Sequence, residues 1–179
     1  MNNSKQIVLK KIDNNHFSIN LEIHNKNNVD IRKFFNVNLF QLMGQLNPDI
    51  IETADIKNNI SNREIDMLYV FKQFGEEFGI KKKYMYIKNL LLIENENYYI
   101  KSYSIPYNSE ISIDCINNEF GYLKIEKKDN NMYNLFYEFK MTMEDILPPY
   151  MQNIIGNIMK KIFINYKEFI EKVNINSND

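Results

Sequence analysis

Tryptophan is missing from this chain of 179 residues, and cysteine occurs once, at Cys115. A lone thiol has no partner for an internal disulfide and excludes a cysteine-based zinc site; its simplest role is that of a small buried hydrophobe. Histidine is nearly as scarce, with only His16 and His24. Strand alternation puts both on the polar face of one early strand, which favours solvated side chains over metal or base chemistry. A Gly-rich phosphate loop, a nucleophile elbow and any His–Cys–acid grouping are all lacking, so no catalytic residue, metal or cofactor is expected. The adjacent carboxylates Glu144 and Asp145 sit ahead of a predicted helix, where compensation of its N-terminal charge explains them. Charge of one sign is lacking as well. Lys and Arg number 22 against 23 Asp and Glu, a net charge of −1, which argues against a nucleic-acid partner. No run reaches the roughly 20 apolar residues of a membrane span, and the opening "MNNSKQIVLKKIDNN" has no apolar signal core. These absences predict a soluble cytoplasmic protein.

What is present is a globular composition, 44% hydrophobic and 25% charged. With no internal repeat or low-complexity linker, residues 1–179 read as one domain, its core spanning about 5–173. Asn, Ile and Lys are abundant even inside periodic segments. That is read as AT-rich coding bias, so the Asn-rich stretches carry no site assignment.

"KQIVLKKI" and "HFSINLEIH" read as strands separated by a turn at Asp13-Asn14-Asn15, the second with Phe17, Ile19, Leu21 and Ile23 on one face. Apolar spacing from Val29 to Leu46 suits one or two short helices, stopped by Asn47-Pro48. Strands are then predicted near 50–56, 64–73, 83–94, 98–105, 110–117, 120–127 and 132–141, an antiparallel meander with tight turns. After Pro148-Pro149, Tyr150 to Val173 repeat apolar residues at i, i+3, i+4 and i+7, the pattern of one long helix. A sheet that long must curl or leave an apolar face uncovered, and this helix is the only long element available to fill it. The predicted class is α+β: a curved antiparallel sheet wrapped around a long C-terminal helix, with short helices after the second strand.

That order, together with particular residues, resembles the START family (steroidogenic acute regulatory protein-related lipid transfer) within the helix-grip, or Bet v 1-like, superfamily. "NLFYEFKMTMEDILPPYMQNII" is similar to the family's last strand, its Gly-Trp-hydrophobic-Pro turn and the start of its C-terminal helix, with Asp145-Ile146-Leu147-Pro148 standing at the turn. "NPDIIETADIKNNISNREIDMLYVFKQF" and "KKKYMYIKNLLLIENENYYIKSYSI" resemble the strands upstream, with Lys82-Lys83-Tyr84 in place of the family's Arg-Asp-Phe and Asp114 where a strand arginine is common. The resemblance runs over roughly residues 17 to 172. It implies a non-enzymatic domain, expected to be monomeric, that holds one lipid in a tunnel between sheet and C-terminal helix and shuttles it between membranes.

Within that frame, Met67, Tyr69 and Phe71 of one strand and Tyr86, Lys88 and Leu90 of the next are expected to line the tunnel, since aromatic and Met side chains adapt to an acyl chain. Tyr103, Phe136, Glu138 and Lys140 are expected to join them from later strands, with Met151, Ile155, Ile158 and Ile162 from the helix. Plain core packing explains the apolar members equally well, because a cavity wall and a dry core look alike in sequence. By the resemblance Lys88 falls where many family members carry a cavity arginine, and Tyr69 falls where an acidic partner stands in sterol-type members. An unpaired buried cation favours a lipid phosphate, hence a phospholipid over a sterol; an outward-pointing Lys88 on a half-exposed sheet is the competing reading. Lys81, Lys82 and Lys83, next to Phe74, Phe78 and Ile80, suggest transient docking on an anionic membrane, against an ordinary solvated strand end. Three function classes remain open here: lipid carrier, interaction or sensor module with a filled cavity, and small-ligand enzyme.

Overall fold

The computed structural model describes residues 7–27, 29–73, 80–108, 113–129, 131–144 and 153–173. Two strands open the chain, β1 (Val8–Asp13) and β2 (His16–His24), joined through Asn15 at φ 55°, a left-handed turn position that Asn tolerates. A 3₁₀ turn (Ile31–Phe34) and helix α1 (Leu39–Gln45) follow. Asp30 caps the turn by accepting from the backbone N–H of Arg32, and buried Leu39, Phe40 and Met43 anchor α1. Then come β3 (Ile51–Ser61), β4 (Glu64–Phe71), β5 (Lys83–Glu94), β6 (Asn97–Ser104), β7 (Asp114–Asp129), β8 (Met132–Met143) and helix α2 (Ile154–Lys172). The segments expected as separate strands at 110–117 and 120–127 are one strand, because a bulge between Asn118 and Phe120 absorbs the break in alternation.

The sheet runs β1-β2-β8-β7-β6-β5-β4-β3, with a short parallel contact of β5 and β7 beyond the end of β6. All its other neighbours are antiparallel. Alternation sorts the side chains. Phe17, Ile19, Leu21 and Ile23 of β2 and Tyr133, Leu135, Tyr137, Phe139 and Met141 of β8 are buried on the concave side. Helix α2 packs there, Phe163 meeting Tyr137 with ring centroids 5.0 Å apart. At Gly156 the helix backbone lies so close to β2 that a Cβ would fall 2.8 Å from the Phe17 ring. The other end of α2 is tied down by fully buried Asn25, whose amide donates to the carbonyls of Ile170 and Val173. This satisfies last-turn acceptors that have no helical partner. The predicted sheet gripping a helix is what the chain builds.

Candidate functional site

A cavity of about 30 Å³ lies between the concave face and α2. Its wall is largely apolar, with Met43 from α1, Met85 from β5, Met141 from β8 and Met159 from α2 among Phe40, Ile51, Phe71, Ile87 and Ile162. Unbranched methionines can refill such a space in several rotamers, so the wall is deformable. One part of the wall is polar but uncharged, formed by Tyr69, Ser102, Asn118 and Tyr137.

The strand register builds that polar patch. Ser102 of β6 stands opposite Gly121 of β7 and beside Asn89 of β5. Gly121 leaves room for this cluster: a Cβ there would fall 2.2 Å from Ser102 Oγ and 3.1 Å from the Tyr137 hydroxyl, and these polar side chains would have to shift. Asn118 Nδ2 donates to Ser102 Oγ at 3.2 Å, and the Asn118 backbone N–H donates to Ser104 Oγ at 2.8 Å. Ser102 also hydrogen-bonds the Tyr137 phenol, but burial dominates and pushes that phenol's pKa upward. Burial likewise raises Tyr69 well above its ordinary range, with Tyr137 adding to the effect. Both phenols are therefore neutral donors across the physiological range. Among the described residues, Tyr69 donates only to the Met67 sulfur, at 3.7 Å, a weak acceptor.

Of the residues expected from sequence to bind a ligand, Tyr69, Phe71 and Ile162 line the cavity, and Met67 and Ile155 are buried in the same core. Ile158 packs against that core while half-buried. Met151 and Phe78 lie outside the described residues, as do Phe74 and Pro148-Pro149. The remaining expected contacts face the other way. On β5 it is Met85, Ile87, Asn89 and Leu91 that point inward, which turns Tyr86, Lys88 and Leu90 to the convex side. The same alternation sends Tyr103 out to 39% exposure and puts Phe136, Glu138 and Lys140 on the convex face of β8. Lys88 is not an unpaired cavity cation. It stands opposite Asp66 in register and bonds Glu64 at 2.6 Å and Asp66 at 3.0 Å, and its pKa is raised chiefly by the Glu64 bond. Lys140 pairs with Glu119 at 2.7 Å, and Glu138 with His16 at 2.8 Å.

The basic run is also divided. Lys83 is fully buried and paired with Asp114 at 3.1 Å, so it is not a membrane-docking side chain. Ile80, expected on the surface, is 3% exposed. Lys82 holds Glu52 at 2.6 Å, and Lys81, at 74% exposure, projects furthest. Cys115 is half-buried rather than buried, its thiol pushed up chiefly by desolvation. Among the described residues, no three His, Cys, Asp or Glu side chains gather as a metal site, and no helix is long and apolar enough to cross a membrane.

Sequence reasoning missed Asn89 and Asn118. The signal was there: on β5 an asparagine occupies a place in the inward series Met85, Ile87, Asn89, Leu91, where every neighbour is apolar. Both asparagines are almost fully buried, at 0% and 2% exposure.

No protein-family model matches the sequence, and no curated protein matches it by sequence comparison. Solved structures do match. The human StarD13 lipid transfer and protein localization domain superposes with a TM-score of 0.69 at 9% identity, covering 92% of this chain and 83% of that one. Human STARD10 gives 0.66 at 11% identity, covering 92% and 71%. A STAR-related lipid transfer protein from Xanthomonas axonopodis gives 0.67 at 7% identity, covering 92% of each chain. With the curved sheet, the gripped helix and the cavity between them, these superpositions show that the chain has the helix-grip fold of START domains.

Proposed function

We propose that the protein is a non-enzymatic lipid carrier, one domain that takes a single apolar molecule between the concave sheet and α2 and moves it between membranes. The observation that carries this reading is the cavity itself: it lies between sheet and helix and has deformable methionine walls. About 30 Å³ holds a water or two, whereas ligand pockets occupy roughly 300–1,000 Å³, so loading must part the helix from the sheet. Because Asn25 anchors the C-terminal end of α2, the opening is proposed at the other end, which bears Gly156 and Met159. Phosphate recognition by Lys88 or Lys140 loses its support because both are paired on the convex face, so an uncharged ligand head is favoured over a phospholipid. Pickup from a membrane, with Lys81 as the exposed cation, remains part of the proposal; transfer between anionic vesicles that ignores added salt would remove that role.

The small volume favours a second reading, an interaction or sensor module whose cavity is filled by its own side chains. Native mass spectrometry of the purified protein, followed by organic extraction, separates the two. A stoichiometric lipid adduct, and transfer of that lipid between vesicles, is the expected result. A bare chain that also fails to take up lipid from vesicles would leave the filled module.

A further inference from the structure

Inside the cavity the hydrogen-bond inventory does not close. Asn118 spends its amide on Ser102, and Ser102 is shared with Tyr137, but no described group partners Asn118 Oδ1. Just behind the cavity wall, Asn89 stands opposite Ser102 in the sheet register and is fully buried, with neither Nδ2 nor Oδ1 partnered among the described residues. A buried amide without partners is destabilising, and native cores rarely keep one unless something arrives to satisfy it. Asn89 of β5 and Asn118 of β7 flank Ser102 of β6, both on the concave side, and together they form a built recognition point of neutral donors and acceptors.

Resting on the carrier reading, we infer that Asn89 and Asn118, with the Tyr137 phenol, bind one uncharged group that both donates and accepts, a hydroxyl or secondary amide on an otherwise apolar ligand. The Asn118 carbonyl accepts the ligand's proton, and the Asn89 amide or the Tyr137 phenol donates to its oxygen. An ether or ester oxygen offers no proton to Asn118 Oδ1. A phosphate offers only acceptors and a charge, and among the described residues the cavity wall holds no cation to meet it.

The test uses the full chain and phosphatidylcholine vesicles doped equally with a diacylglycerol and its O-methyl ether, reading bound lipid by native mass spectrometry. Expected is selection of the hydroxyl-bearing lipid by about tenfold or more, the scale of one unmet buried hydrogen bond. Asn118→Leu and Asn89→Leu should each collapse that selection toward unity while lipid is still bound. Thermal melting shows whether each variant is folded; Asn89→Leu removes an unpartnered amide and favours folding, whereas Asn118→Leu also gives up the bond to Ser102. Equal uptake of both lipids, or preferential uptake of phosphatidylcholine, overturns the polar recognition and leaves the carrier reading standing. No uptake of any lipid by the wild type overturns both. Selection that persists in both variants refutes the assignment to these asparagines.

Discussion

The two faces of the sheet solve the problem of polar groups in opposite ways. On the convex face, charge is abundant and paired: Lys88 with Glu64 and Asp66, Lys140 with Glu119, Glu138 with His16, Lys124 with Glu126. Around the cavity on the concave face, polarity among the described residues is sparse, uncharged and incompletely paired, carried by Tyr69, Ser102, Asn118 and Tyr137 with Asn89 beside Ser102. Charges left near solvent cost little, so the convex face can carry many with small individual effect. Neutral amides buried without partners cost stability, so their retention inside points to use.

The contrast is broken most forcefully by truncating an aromatic on each side. Phe163→Ala, at a fully buried ring tilted against Tyr137, is expected to lower stability by about 3–5 kcal/mol. Phe136→Ala, half-buried on the convex side of β8, should cost about 1 kcal/mol or less. Urea midpoints at constant slope measure both, and equal losses would mean that the two faces do not differ in packing.

Lys88→Met asks whether the convex pairs matter to the ligand. Removing the ammonium leaves Asp66, at 7% exposure, without its cation, and about 1–2 kcal/mol should be lost. Lipid occupancy by native mass spectrometry should not change. Lower occupancy at equal folding would return Lys88 to the binding site.

Element order, strand positions and the gripped helix were legible because hydrophobic alternation and the turn residues agree along most of the chain. Facing was not legible on β5. "YMYIKNLLLI" is apolar on both sides, with Tyr84, Tyr86, Leu90 and Leu92 outward against Met85, Ile87 and Leu91 inward, so period-two contrast vanishes. The partners of Lys88 were hidden for the same reason: Asp66 meets it only once the β4–β5 register is known. Asn89 and Asn118 were masked by composition, since asparagine is common everywhere in this sequence and only burial separates these two from the rest. On β2, where Ser18, Asn20, Glu22 and His24 alternate with four apolar residues, facing was legible without the structure.

Asn89→Leu carries the contrast to the concave face and should act with opposite sign. A leucine of similar volume removes two unpartnered polar atoms from a fully buried position, so a gain of about 1 kcal/mol is expected. Calorimetric melting measures it. A loss of stability would mean that a bound water or an unseen partner already satisfies the amide.

The smallest effect expected is electrostatic and lies on the convex face. Hydrogen bonds from Lys124 and then Lys128 hold the Glu126 carboxyl below its ordinary value of 4.5. Because its folded pKa is the lower one, its contribution is fully present above about pH 4.5 and is lost as pH falls through the folded value. Wild type should therefore exceed Glu126→Gln at pH 7 by under about 1 kcal/mol, with the gap closing in acid and shrinking in 1 M salt. Tyr137→Phe supplies the concave counterpart: the phenol it removes is pushed up by burial, so it does not titrate in acid. Whatever it does to overall stability, the difference between Tyr137→Phe and wild type should stay constant from pH 7 to 3. A Glu126→Gln difference that is equally flat with pH would show that the lysine bonds on the convex face do no electrostatic work in solution.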